Sequence, residues 1–229
     1  MQITFLGHAG FLLENAGIKV VVDPFITGNP RAKVNVGDLK VDYVLITHGH
    51  NDHLGDAIQI AKQSEAVVIS VFEIANYCAR NGCCAHQMHI GGSHDFGNLR
   101  VKLTQALHGS SLGGNDGPAE YLGNPCGFII SLGGKTVYHA GDTGLFGDMN
   151  LIGSLHKIDV ALLPIGDNFT MGIEDAVVAV KMLKPRVAIP MHYNTFPLIN
   201  QNPETFKNQV EQSTSTKVTL LEPSQTLDI

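Results

Sequence analysis

The sequence predicts an α/β (α+β) chain in which two β-rich halves, each with helices, pack sheet against sheet. Three observations lead there. Short apolar runs of strand length alternate with segments of helical spacing, and Gly, Asn, Asp and Pro break them apart. Several short features recur in the second half at a nearly constant offset. One apolar run ends on four residues of metal-ligand type within six positions. Each half alone would leave one sheet face bare, so the 229 residues are expected to form a single domain, with halves at about 1–110 and 119–229.

Residues 1–6, 10–14 and 18–23 read as strands of a meander, turned at Gly7 and His8 and again at residues 15–17. Residues 43–47 form an apolar run, as expected for a strand buried on both faces. Residues 55–63 have helical spacing through Ala57, Ile58, Ile60 and Ala61. A strand at 67–71, a helix at 73–80 and a strand at 99–106 follow. The second half repeats this order. Gly10-Phe11 recurs as Gly127-Phe128, Gly17 as Gly134, and Val41-Asp42 as Ile158-Asp159, each 117 residues on. Residues 43–46 match 160–163, and the helix at 56–62 resembles 175–181 at an offset of 119. Residues 113–118, rich in glycine, read as a loop between the halves.

Composition narrows the class. With 44% hydrophobic and 16% charged residues, a large core and full globular order are expected. The net charge is −6 and no Lys/Arg cluster forms a basic stripe, so no long nucleic acid is expected as partner. The first residues lack the pattern of a signal peptide, and no apolar run approaches the ~20 residues of a membrane span. A cytoplasmic chain with no membrane partner is the expectation. Cys78, Cys83, Cys84 and Cys126 fit neither a disulfide framework nor a CxxC zinc pair, and read as buried thiols.

The chemistry is concentrated in His48-Gly49-His50-Asn51-Asp52-His53. These residues follow a buried strand and precede a helix, the place where α/β-type sheets put their sites. Alternation along an extended strand end puts His48 and His50 on one side. Asp52 and His53, in the turn into the helix, can face the cavity from the other. One short segment can thus serve two neighbouring metals.

The pattern His-x-His-x-Asp-His resembles the signature of the metallo-β-lactamase superfamily, and the resemblance spans the chain. It implies a four-layer αβ/βα sandwich of duplicated halves and three further ligands, each at a strand end: His108, Asp142 and His192. By that resemblance His48, His50 and His108 hold one metal, Asp52, His53 and His192 hold a second, and Asp142 bridges them. The implied cofactor is two divalent ions per chain. The N/O-only ligand set suits Zn²⁺, and also Mn²⁺, Fe²⁺ or Ni²⁺. The cysteine ligand of many true β-lactamases is missing, which argues against antibiotic hydrolysis. The implied reaction is hydrolysis of a small ester, lactone or phosphoester by a hydroxide held between the metals, with Asp52 both ligand and orienting group. Phe5-Leu6-Gly7-His8-Ala9-Gly10, His139-Ala140-Gly141-Asp142-Thr143-Gly144 and Leu163-Pro164-Ile165-Gly166-Asp167 are similar to the branch that contains L-ascorbate-6-phosphate lactonase and related metal-dependent hydrolases.

Other readings remain open at this stage. One is a phosphodiesterase acting on cyclic nucleotides or nucleic acid. Another is a mononuclear-iron oxidoreductase on the same fold, against which the complete set of seven ligands argues. A third is a scaffold that has lost catalysis. His8 can contact substrate or stabilise its turn. Asp167 and Asn168 can line the pocket or cap a loop, and Tyr193 and Asn194 flank His192. His139 can support Asp142. His86, His89 and His94 form a loose cluster read as ordinary histidines rather than a third metal site. An open pocket would also suit a homo-oligomer.

Overall fold

A computed structural model describes residues 1–113 and 118–229. Residues 114–117, most of the expected connecting loop, lie outside the described residues. The strands are β1 (Gln2–Gly7), β2 (Gly10–Asn15), β3 (Ile18–Val22), β4 (Tyr43–Leu45), β5 (Val67–Val71), β6 (Cys84–Met88), β7 (Ser93–Asp95), β8 (Leu99–Gln105), β9 (Ser111–Leu112), β10 (Glu120–Tyr121), β11 (Cys126–Leu132), β12 (Lys135–His139), β13 (Val160–Pro164), β14 (Val187–Met191), β15 (Lys217–Val218) and β16 (Thr226–Asp228). The helices are α1 (Asn51–Leu54), α2 (Ala57–Ser64), α3 (Phe72–Arg80), α4 (Met149–Leu155), α5 (Ile173–Leu183) and α6 (Pro203–Ser213).

Two seven-stranded sheets have the orders β16-β1-β2-β3-β4-β5-β6 and β15-β14-β13-β12-β11-β8-β7. In the first, β1, β2 and β3 run antiparallel and β3 to β6 parallel. In the second, β8, β11 and β12 run antiparallel and β12 to β15 parallel. The two sheets are therefore the same motif twice. The sheets nevertheless divide the chain differently from the sequence repeat. Residues 93–105, expected in the first half, pair in the second sheet, and β16 returns to the first. The reason is that β11 needs an antiparallel neighbour, which β8 supplies over seven residue pairs from Leu99↔Leu132 to Gln105↔Cys126.

The repeat has a hydrogen-bonded basis. Asp42 accepts from the Lys19 amide at 2.8 Å and donates its own amide to the Lys19 carbonyl at 2.9 Å. Asp159 does the same with Thr136 at 3.0 and 2.9 Å. Each aspartate registers two parallel strands at their start.

Period-two alternation builds two cores. Phe128, Ile130, Val137, Val160 and Leu162 face the first sheet, where they meet Phe11, Leu13 and Val44. Ile129, Tyr138, Ala161 and Leu163 face the other way, against Val177, Val180 and Phe206 of the covering helices. All five residues of β13 are buried, which is why its sequence is continuously apolar. The helix expected at 55–63 is α2, and the short helix α1 precedes it. Gly55 separates the two, and the Asp56 carboxylate pins the break by accepting from the Ile26 and Thr27 amides. The cysteines are not uniformly buried: Cys78 and Cys126 are, Cys83 is half-buried and Cys84 is exposed at the start of an edge strand. No helix among the described residues is long and apolar enough to cross a membrane.

Candidate metal centre

His48 and His50 follow β4, His108 follows β8, Asp142 follows β12 and His192 follows β14. All five thus stand just past strand C-termini at one rim, with Asp52 and His53 in α1. Two glycines make the approach possible. A Cβ on Gly49 would lie 2.9 Å from the Leu122 side chain, where the Gly49 amide bonds Ser110. Gly141, at φ 64°, turns the chain into Asp142, and a Cβ there would lie 2.5 Å from the Cys126 carbonyl. His8 and His192 also have positive φ, at 58° and 55°. This conformation costs a non-glycine residue about 1–2 kcal/mol and collects at functional sites. The bond from the His192 amide to the His8 carbonyl, at 2.8 Å, holds both turns.

The seven expected ligands converge in two clusters. His48, His50 and His108 bring ring nitrogens within 4.8 Å of one another, and a carboxylate oxygen of Asp52 lies equally close to ring nitrogens of His53, His192 and His8. Asp142 stands between: its Oδ2 lies 2.9 Å from His192 Nε2, 3.3 Å from His53 Nε2, 3.6 Å from His108 Nε2 and 4.0 Å from His48 Nε2.

Tautomers follow from the bonding. Asp23, fully buried at the end of β3, accepts from the Thr47 hydroxyl at 2.6 Å and from His53 Nδ1 at 2.8 Å. The Thr47 hydroxyl, having donated, accepts from His48 Nδ1 at 2.9 Å. Both histidines thus carry their proton at Nδ1 and turn a bare Nε2 lone pair to the centre, the usual way an outer carboxylate prepares a metal ligand. Here the donor set can be tested for fit. His48 Nε2 lies 3.0 Å from His50 Nδ1, which lies 3.2 Å from His108 Nε2. His53 Nε2 and Asp142 Oδ1 are buried with no hydrogen-bond partner. A shared cation satisfies lone pairs brought this close and buried acceptors left single. The residues fit divalent metal ions.

Electrostatics agree for His48, His50 and His108, whereas the carboxylates flanking His53 favour its protonated ring. Burial above all holds His48, His50 and His108 below the ordinary histidine value, hence neutral and able to ligate. Burial likewise works on His53, but Asp142 and Asp23 on either side outweigh it and raise its value. For Asp142 burial opposes ionisation, yet His192 and His53 hold it well below the carboxylate range. Asp52 is held low in the same way, against burial, by its bond to His8 and the charge of His53.

His8 does not stand free to touch substrate. Its Nε2 donates to Asp52 Oδ2 at 3.1 Å and its Nδ1 accepts from Thr195 at 2.9 Å, while its ring lies tilted against that of His192, centroids 4.1 Å apart. Burial pushes it down to about 4, so it is neutral. His139 acts through the backbone: Nε2 bonds the Ala9 carbonyl, and Nδ1 accepts from the Gly141 amide beside Asp142. The cavity at the cluster, about 340 Å³, is lined by His50, Asp52, His108, Asp142, His192, Phe169 and Phe196. Asp167, Asn168 and Asn194 do not line it. Asp167 accepts from the Asn168 and Thr170 amides, and Asn194 accepts from the Gln201 amide. Tyr193 packs against the second core. His86 and His94, from edge strands of the two sheets, hold their rings tilted against each other, 4.3 Å apart.

Sequence reasoning missed Asp23, Thr195, Phe169 and Phe196. Only Asp23 leaves a signal, as a lone carboxylate closing an apolar strand.

A family model for the beta-lactamase superfamily domain matches residues 2–192. The chain is 65% identical over its whole length to a UPF0173 metal-dependent hydrolase of Desulforamulus reducens, which it also covers completely. It is 60% identical, again over both full lengths, to one from Pelotomaculum thermopropionicum. Among solved structures, Igni18, a metallo hydrolase from Ignicoccus hospitalis, superposes with a TM-score of 0.90 at 42% identity, over 99% of this chain and 97% of that one. An isothiocyanate hydrolase from Delia radicum gut bacteria shares the fold, with a TM-score of 0.76 at 22% identity over 100% and 99% of the two chains. Sequence, fold and the convergent histidines lead to one conclusion: this chain belongs to the metallo-β-lactamase superfamily and is one of its metal-dependent hydrolases.

Proposed function

We propose that the chain hydrolyses small esters, lactones or phosphoesters with two divalent cations, Zn²⁺ first among those the donors suit. The observation that carries this reading is the place of Asp142 Oδ2, within 2.9–4.0 Å of histidines from both clusters. Two cations sharing a carboxylate supply a water-derived nucleophile at neutral pH and positive charge where an oxyanion develops. His48, His50 and His108 would hold one ion, Asp52, His53 and His192 the other, and Asp142 both.

The chain's own residues do the rest. Asp23 and Thr47 hold the His53 and His48 rings with their lone pairs inward. His8 keeps Asp52 ionised and fixed by occupying one of its oxygens. The 340 Å³ cavity suits a small molecule rather than a polymer. Elemental analysis of the purified protein, combined with a screen of lactones, esters and phosphodiesters, tests the proposal. Two ions per chain and turnover of one of these classes are expected. A fully loaded protein inert to all three classes overturns it.

A further inference from the structure

The cavity at the cluster has two unlike walls. Carboxylates and imidazoles form one, and Phe169 and Phe196 form the other. Phe169 is 50% exposed and Phe196 37%, so neither serves the core. Phe196 also lines an adjoining cavity of about 330 Å³ that reaches Phe25. Phe25 and Phe196 stand 6.5 Å apart, and both pack edge-on against the His8 ring, at 5.8 and 5.6 Å. Phe196 is thereby held in place rather than left loose at the surface.

The second observation is charge. No Lys or Arg lines either cavity among the described residues, and residues 114–117, Gly-Asn-Asp-Gly, contain none. The stretches 41–61, 103–134, 136–156, 158–180 and 187–206 carry all seven expected ligands and both phenylalanines, and hold none of the chain's 15 basic residues. A reacting phosphorus could still be met by the cations. A second anionic group, remote from the reacting bond, would enter beside Asp52 with no counter-charge, at high desolvation cost.

We infer that the non-reacting part of the substrate is an uncharged apolar or aromatic group seated against Phe169 and Phe196, and that these two residues set specificity. The same argument disfavours a sugar that carries a phosphate remote from the reacting bond. The inference rests on the hydrolase proposal for the bond cleaved, but not for the group that is seated.

Hydroxamates separate the two, because the chelating group is constant and only the substituent changes. Binding of acetohydroxamate, benzohydroxamate and a hydroxamate with a remote phosphonate is measured by calorimetry on the metal-loaded protein. Benzohydroxamate is expected to bind about tenfold or more tighter than acetohydroxamate, the scale of burying an aromatic ring. Phe169→Ala and Phe196→Ala should each erode that preference with metal content unchanged, and Phe196→Leu should restore part of it. In parallel, KM for methyl phenylacetate should rise in both alanine variants while kcat changes little. Tightest binding of the phosphonate compound, or a phenyl preference untouched by both alanine variants, overturns the inference. A phenyl preference without turnover of any ester, lactone or phosphoester overturns the hydrolase proposal and leaves this pocket assignment standing. Turnover without a phenyl preference does the reverse.

Discussion

His8 and Asp52 meet at 3.1 Å across 44 residues of sequence, ring Nε2 to carboxylate Oδ2. The bond fixes one oxygen of the carboxylate proposed to orient the nucleophile, while Thr195 fixes the far side of the ring. Asp52→Ala is expected to stay folded and lose turnover by at least ~10², the scale of a positioned catalytic group. His8→Ala should lose about tenfold, with two metals retained, because it removes only the support. Steady-state kinetics on protein of measured metal content checks both. Near-wild-type turnover of fully loaded Asp52→Ala would remove the assigned role.

Asp142 should control metal stoichiometry. Its Oδ2 is nearer to His192 and His53 than to His108 and His48. Asp142→Ala is therefore expected to lower the count from two ions towards one, the ion beside His192 and His53 leaving first. It also removes the charge that offsets repulsion between two dications. Elemental analysis decides it: a single ion per chain in both proteins would exclude the dinuclear arrangement.

Asp23 touches no expected metal position of its own accord. It acts through His53 and, by way of Thr47, through His48. Asp23→Ala frees both tautomers and should weaken metal binding about 10–100-fold. Thr47→Val, which disturbs only His48, should cost less. Competition with a chelator of known affinity measures the difference, and equal affinities in all three proteins would refute the argument.

Acid should destabilise the metal-free protein. His8, at about 4, and His48, His50, His108 and His139, all lowered mainly by burial, resist protonation in the folded state. The ordinary histidine value is about 6.5, so the unfolded chain binds more protons as pH falls below it. Stability present above 6.5 is then lost towards 4. His53, raised by Asp142 and Asp23 against burial, works in the opposite direction but is one group against five. Urea midpoints between pH 7.5 and 4.5 should decline; midpoints that rise on acidification would reverse the sign.

Much of this was legible in the sequence because of where information concentrates. His48 to His53 are adjacent in the chain, so their meeting needs no tertiary knowledge. The repeat was legible because Asp42 and Asp159 do the same backbone work 117 residues apart. The cavity's apolar wall was not. Phe169 and Phe196 are single residues in loops, and only packing tells a lining ring from a core ring. Asp167 and Asn168 were misleading for a related reason. They follow a buried strand as His48 does, but positive φ at both, 61° and 46°, belongs to a tight turn whose amides Asp167 satisfies.

Each set of three expected ligands draws two side chains from the segment after β4, in one sheet, and one from a strand end of the other: His108 after β8, His192 after β14. The centre therefore works as a caliper set across the sandwich. A well-packed interior passes strain along instead of absorbing it. A substitution between the sheets, at Phe11 or Phe128 for instance, shifts one jaw against the other. Its first symptom would be a change in metal affinity, registered well before any loss of fold.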